Sequence, residues 1–333
     1  GARADARGLR GHAHHGVPGL GEGYPTDDNA RALLCLSLLP GGARDEGLVR
    51  TYLAFLLHMQ KEDGRFRNGL TLDGRFEDEG EAEDPTGRAV LALAAAQRLP
   101  PPYAGPAREA LLRALPALEG FTSLRGRAYA LLGLLALPKE PFLEAAEALG
   151  EGLLRAFREA EPAWPYPGPL TYANHRPVEA LYAYGLAFRR QEAVALARRA
   201  LAFLKEHYFT PGEEGLFFDP VGNRFMARGR DKPLFDQQPI EAKCALLAHL
   251  RFGERVLAEV AFLWFHGRNR LRAPLVDAFG PMDGLTPHGP NQNRGAEALL
   301  AYLLAWQALV QGVFPQVDEG VALGRVFALG GRP

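Results

Sequence analysis

The sequence predicts an all-α fold: a closed ring of six helical hairpins with one or two small β-hairpins inserted in its loops. Three features predict it. Six apolar helices begin on one plan, a polar turn-forming loop running into a charged first turn. An amphipathic segment follows each of the first five and a weaker one follows the sixth, so inner and outer helices alternate. The apolar runs are rich in Ala and Leu and poor in β-branched residues, which favours helix over buried strand. A ring closed on itself also needs no polar caps at its ends, as an open stack would.

The inner helices start at Asn29-Ala30-Arg31-Ala32, Thr86-Gly87-Arg88-Ala89, Arg125-Gly126-Arg127-Ala128, Pro177-Val178-Glu179-Ala180, Pro239-Ile240-Glu241-Ala242 and Gly295-Ala296-Glu297-Ala298. Aligned on the charged residue, they lie 57, 39, 52, 62 and 56 residues apart. The outer helices are expected over residues 48–60, 109–118, 142–157, 192–208 and 255–265, with 316–329 as the weaker sixth. Two long connections, 64–84 and 215–237, read as hairpins. The first turns at Asp73-Gly74, and the second lies within Leu216 to Met226. Both end at an inner-helix start, so both overhang the same face of the ring, where binding usually sits. Residues 1–26 read as a lead-in and 27–333 as one toroidal domain. In the lead-in, His12, His14 and His15 read as a loop-packed segment in preference to a metal site, and no metal or cofactor is expected.

A hydrophobic content of 47% suffices for a core, and a net charge of −1 gives no reason to expect nucleic acid as partner. Every apolar run is broken by Arg, Gly or Pro, so no membrane span is expected. Cys35 and Cys244 each lie in an apolar helix and read as buried free thiols, which fits a reducing, cytoplasmic location. The start of the chain lacks both an initiator Met and a signal-peptide apolar region, and reads as trimmed or partial. The five lysines against thirty-three arginines read as coding bias.

The charged first turns carry the chemistry. Glu179, Glu241 and Glu297 complement the helix dipole there and can also close capping boxes. Arg31, Arg88 and Arg127 oppose the dipole and therefore call for partners. Those partners are carboxylates on neighbouring helices, or an anionic or multiply hydroxylated ligand held bidentately. All six are expected at one end of the ring with side chains near its axis. In the first helix Thr26, Asp27 or Asp28 can cap, and one of the two aspartates is expected to cap while the other faces the cleft beside Arg31 or Arg88. Tyr24, Trp164, Tyr166, Tyr172, Phe217, Phe218 and Phe235 fall in mouth-side loops, where flat rings stack on pyranose faces or pack a lid. Asn174, His175, Asp236, Gln237, Gln238, Asn291 and Asn293 add polar groups that hydrogen-bond sugar hydroxyls or cap helices.

The stretches Gly-Tyr-x-x-Asp-Asp-Asn-Ala-Arg-Ala (23–32), Glu-Asp-Gly-Arg-Phe (62–66), Glu-Asp-x-x-Gly-Arg-Ala (83–89), Phe-Asp-Gln-Gln-Pro-Ile-Glu-Ala (235–242) and Gly-Ala-Glu-Ala (295–298) resemble bacterial six-hairpin glycosidase-like proteins, over nearly the whole chain from 11 to 311. Relatives of that kind are often labelled glycosyltransferase-associated. The resemblance implies an (α/α)6 toroid with a cleft where the inner helices begin, a sugar or oligosaccharide substrate, and a glycosyltransferase as a further partner. The adjacent aspartates also resemble, over a short match, the catalytic pair of α-1,6-mannanases on this fold. There, aromatic residues stand where this chain has Asn-Ala-Arg. The expected function is glycoside cleavage by two carboxylates drawn from Asp27, Asp28, Asp84, Glu241 and Glu297, with Glu179 and Asp236 also in reach and acid and base unassigned. The alternatives are a sugar isomerase or epimerase using His175 or His288, and a non-catalytic glycan-binding partner of a glycosyltransferase.

Overall fold

A computed structural model describes residues 4–11, 13–14, 17–18, 23–78 and 82–312. The inner helices are α1 (Thr26–Leu38), α3 (Asp84–Ala95), α5 (Leu124–Leu134), α7 (His175–Ala187), α9 (Pro239–Arg251) and α11 (Ala296–Val310). Between them lie the outer helices α2 (Glu46–Met59), α4 (Pro101–Leu118), α6 (Phe142–Arg158), α8 (Gln191–Tyr208) and α10 (Arg255–Leu263). Each inner helix packs on the next, and α11 returns to α1, so the ring closes as expected. The expected sixth outer helix at 316–329 lies outside the described residues.

Burial follows from position in the ring. Inner helices touch neighbours on every side, so α3 and α7 are buried almost throughout. Outer helices bury one stripe; in α6 that stripe is Phe142, Leu143, Ala146, Leu149, Leu153, Leu154 and Phe157. Outer helix α4 begins at Pro101, eight residues before the sequence pattern sets in. Its first turn needs no proline N–H, so Pro101 and Pro102 are tolerated there.

The loops hold more β-structure than expected. Gly69–Leu70 and Phe76–Glu77 form the hairpin turning at Asp73-Gly74, with Tyr24–Pro25 as a third strand. The second hairpin is displaced from its expected place. Phe209–Gly212 pairs with Gly215–Phe218, because the turn forms at Glu213-Glu214 and Gly215 supplies a φ of +94°. Two further hairpins, Val276–Asp277 with Gly280–Pro281 and Leu285–Thr286 with Gly289–Pro290, precede α11. Near the start of the chain Ala4–Asp5 pairs with Gly8–Leu9. Asn29 of α1 fastens that hairpin by accepting from Leu9 N–H (2.8 Å) and donating to Leu9 O (3.0 Å).

Helices α3 and α5 make the tightest approach. A Cβ on Gly87 would stand 2.6 Å from the carbonyl oxygen of Gly126, which is backbone and cannot step aside. Gly87→Ala should therefore destabilise the protein by about 1–3 kcal/mol, overriding a helix-propensity gain of at most about 1 kcal/mol. Gly105→Ala in α4 meets nothing within 4 Å apart from its chain neighbours, but the ring of the following Pro106 disfavours a Cβ in the helical region, so the change should be within about 0.5 kcal/mol of neutral. Urea denaturation of the two variants checks the difference.

Candidate functional site

The inner-helix N-termini are joined into a polar belt. Arg31 donates through Nη1 to Asp28 of its own turn (2.6 Å) and through Nη2 to Glu297 of α11 (3.1 Å). Arg88 of α3 lies 3.3 Å from Asp27 of α1, and its guanidinium covers the ring of Tyr129 on α5 at 4.2 Å. Asp84 of α3 accepts from Tyr172 Oη (2.7 Å) and pairs with Arg125 of α5 (3.4 Å), whose guanidinium lies over the Tyr172 ring. Glu241 of α9 accepts from the backbone N–H of Ala173, ahead of α7. Arg31 and Arg88, which the structure places in the second turn of α1 and α3, thus find carboxylates on the adjacent helix.

Burial sets the protonation of this belt. It pushes Asp28 up to about 6 despite the opposing Arg31, and Glu241 up to about 7. Burial also pulls Glu297 upward, but Arg31, Arg88 and Lys243 outweigh it and hold its carboxyl below the usual range. Lys243 of α9, only 1% exposed, is pushed down to about 7 by burial, with Arg176, Arg31 and Arg88 adding repulsion. Asp27 and Glu297 are the more open carboxylates, with 33% and 43% of their side chains exposed, against 8% for Asp28.

Several expectations are corrected. Neither Asp27 nor Asp28 caps α1: the N-cap is Pro25, with no side-chain cap, and both aspartates turn to arginines. Arg127 leaves the ring. Its Nε donates to Phe121 O (2.8 Å) and its Nη1 to Gly152 O of α6 (3.4 Å), because Arg125 and Tyr129 take the positions facing Tyr172 and Arg88. Glu179 is sealed between Arg176 (2.8 Å) and Arg251 (3.0 Å). Tyr24 is fully buried and donates to Asp5 (2.6 Å), so its ring packs and offers no sugar platform. Asn174 holds Tyr208 Oη and Thr171 N–H, while Gln237 holds Asp219 and Trp264. His175 is buried against the Tyr208 and His249 rings. Trp164, Tyr166 and Phe218 are buried too.

The remaining expected residues stay nearer the surface. Tyr172, Asp236, Gln238, Asn291 and Asn293 are half-buried in loops leading to α7, α9 and α11. Within them Asn291 accepts from Asn293 N–H (3.1 Å), and the Asp236 N–H donates to Asn223 (3.2 Å). His288 belongs to the hairpin just before α11 and is exposed.

Sequence reading missed Arg125, Tyr129, Arg176 and Lys243. For Lys243 a signal existed: a lysine in an otherwise apolar inner run, in a chain with five lysines. With Arg31 and Arg88, the residues Tyr129, Arg176 and Lys243 line a small cavity in the ring, floored by Leu34, Leu91 and Leu304. Asp27 Oδ1, Arg31 Nε, Arg88 Nε, Tyr129 Oη, Arg176 Nε and Glu241 Oε2 are buried there and in the belt above without a hydrogen bond. Among the described residues, no group of three His, Cys, Asp or Glu is placed to hold a metal ion, and no helix is long and apolar enough to cross a membrane.

The chain matches no family model, and no curated protein matches it. Solved structures do. It is similar to cellobiose 2-epimerase from Spirochaeta thermophila, at 15% identity over 92% of this chain and 89% of that one, with a TM-score of 0.64. It is also similar to a D-mannose isomerase, at 11% identity over 94% and 93% with a TM-score of 0.67. A family 76 α-mannanase from Bacteroides thetaiotaomicron matches at 11% identity over 93% and 89%, with a TM-score of 0.60. At these identities the likeness establishes the fold, an (α/α)6 toroid of helical hairpins.

The raised carboxyl of Glu241 gives a pH signature. A folded-state value of about 7 against 4.5 means that its stabilising effect is complete below pH 4.5 and lost as pH rises through 7. Glu241→Gln keeps the acceptor for Ala173 N–H and removes the charge. The variant should therefore gain stability over the parent between pH 5 and 8, by up to about 3 kcal/mol at the upper end. Denaturant midpoints measured across that range check it.

Proposed function

We propose that this chain is a carbohydrate-active enzyme, a glycoside hydrolase acting on an oligosaccharide at the inner-helix N-termini. One observation carries the reading. Asp27 and Glu297, the two belt carboxylates most open to solvent, are each held by a different buried arginine. Asp27 also keeps one oxygen without a hydrogen bond. Fixed carboxylates flanking a cleft are what glycosidic cleavage needs. The toroids it resembles, a sugar epimerase, an isomerase and a mannanase, support a sugar as substrate.

In this reading Glu297, kept ionised by Arg31, Arg88 and Lys243, activates water or attacks the anomeric carbon. Asp27 protonates the leaving oxygen. Asp84 and Tyr172 form the adjoining wall. Asp28 and Glu241 hold the frame, since their carboxyls are buried and engaged with Arg31 and Ala173. An isomerase is less well supported, because its proton carriers would be His175, sealed in the core, or His288, out on a hairpin.

Asp27→Asn and Glu297→Gln should each lower turnover of a cleaved oligosaccharide at least about a hundredfold, with melting little changed. Asp28→Ala should cost about 2 kcal/mol or more of stability by stripping a partner from buried Arg31. Turnover with product analysis, beside melting of the three variants, is the measurement. Sugar binding without turnover would point to the glycan-binding reading and a glycosyltransferase partner. Interconversion of free sugars would point to the isomerase.

A further inference from the structure

Beneath the belt, cations outnumber anions. Arg31, Arg88, Arg176, Arg251 and Lys243 are set against Asp27, Asp28, Glu179 and Glu297, five cations to four carboxylates. Arg125 and Asp84 pair with each other, and Glu241 is engaged with the Ala173 N–H. The cation left over is Lys243, which is buried and makes no hydrogen bond or ion pair among the described residues. Around it stand Arg31 of α1, Arg88 of α3, Tyr129 of α5 and Arg176 of α7, while Glu297 of α11 is held by Arg31. A buried ammonium without a counter-ion is costly, and guanidiniums beside it make it more so. The cavity that Lys243 lines measures about 10 Å³, room for one water-sized occupant, and its remaining walls include Leu34, Leu91 and Leu304. Among its lining residues, the Nε–H groups of Arg31 and Arg176 and the Tyr129 hydroxyl are buried without a hydrogen bond. Arg88 is not a free donor, since its Nε lies 3.3 Å from Asp27.

We propose that this cavity is a halide site, holding one chloride ion against Lys243. Size and charge select the ion together. A carboxylate, sulfate or phosphate has the charge but is too large for the space. A water has the size but leaves the ammonium uncompensated. Chloride is a monatomic anion that takes up in water about the volume of one water molecule, and the flexible stem of Lys243 accommodates the small difference. A spherical ion also accepts from several N–H and O–H donors without directional demand, which suits lining residues contributed by α1, α5, α7 and α9. The site requires no sugar, so it stands independently of the hydrolase reading. Burial pushes Lys243 down to about 7, with Arg176, Arg31 and Arg88 repelling its charge and Cys244 favouring it. A bound anion favours the protonated ammonium, so halide affinity should fall as pH rises from 6.5 to 8.5.

Thermal melting at pH 6.5 and fixed ionic strength tests this, with the sodium salts of chloride, bromide, acetate and gluconate. Chloride and bromide at about 0.1 M should raise the melting temperature by at least about 3 °C over acetate and gluconate. The rise should shrink by pH 8.5. Lys243→Met and Lys243→Gln remove an unpaired buried charge, so in gluconate they should melt no lower than the parent, and both should lose the halide-specific rise. Crystals of the unaltered protein soaked in bromide give a readout that needs no variant: one anomalous peak in the cavity. A rise shared by all four salts, one that survives both substitutions, or one that grows with pH overturns the proposal. A cavity that holds water and no bromide overturns it as well.

Discussion

The cost of burying a guanidinium in the second turn of an inner helix governs the rest of this structure. Desolvating such a charge costs several kcal/mol. Arg31 is offset by Asp28 one turn away and by Glu297, 266 residues later in the chain. That second bond spans the seam where the last inner helix meets the first. Two others cross the same seam: Gln307 donates to Cys35 O (3.0 Å), and Ala296 N–H donates to Gly11 O (2.8 Å). Charge satisfaction and ring closure are therefore one event. A chain that fails to close leaves Arg31 with a single partner, itself half-titrated near pH 6 because burial raises it.

The same constraint fixes the site. Asp27, Asp84 and Glu297 are each gripped by an arginine of a neighbouring inner helix, so inner-helix packing sets their positions. Side chains held in this way are oriented before any ligand arrives, which is what electrostatic stabilisation of a developing charge requires. The arrangement also separates roles among chemically similar groups. Depth decides them: Asp28 and Glu241 are raised by burial and engaged with the protein, while Glu297 stays ionised and open.

Opposition of charge and dipole was readable before any coordinates, and so was the need for partners at Arg31 and Arg88. Identifying those partners was not. Asp27 and Asp28 are adjacent in sequence yet reach different arginines on different helices, because successive helical residues project about 100° apart. A capping role for one of them looked natural from local preference alone. Tertiary charge pairing outcompeted the cap, since a cap contributes about 1 kcal/mol and stranding a buried arginine costs several.

What the sequence determined by itself was the architecture. A repeated polar start, an apolar Ala/Leu run and an amphipathic return specify inner and outer helices, because only a ring buries every inner face without end caps. It also determined the end of the ring at which charge collects. The tertiary structure decided which charges face inward. Arg127 shares the register of Arg31 and Arg88 but turns out to Gly152, while Arg125, two residues earlier, takes the place beside Asp84. Arg176 looked like an ordinary helical residue until the ring brought it around one cavity with Arg31, Arg88 and Lys243. Register along a helix is local and legible; the direction a side chain takes around a closed ring depends on neighbours tens to hundreds of residues away, and packing alone sets it.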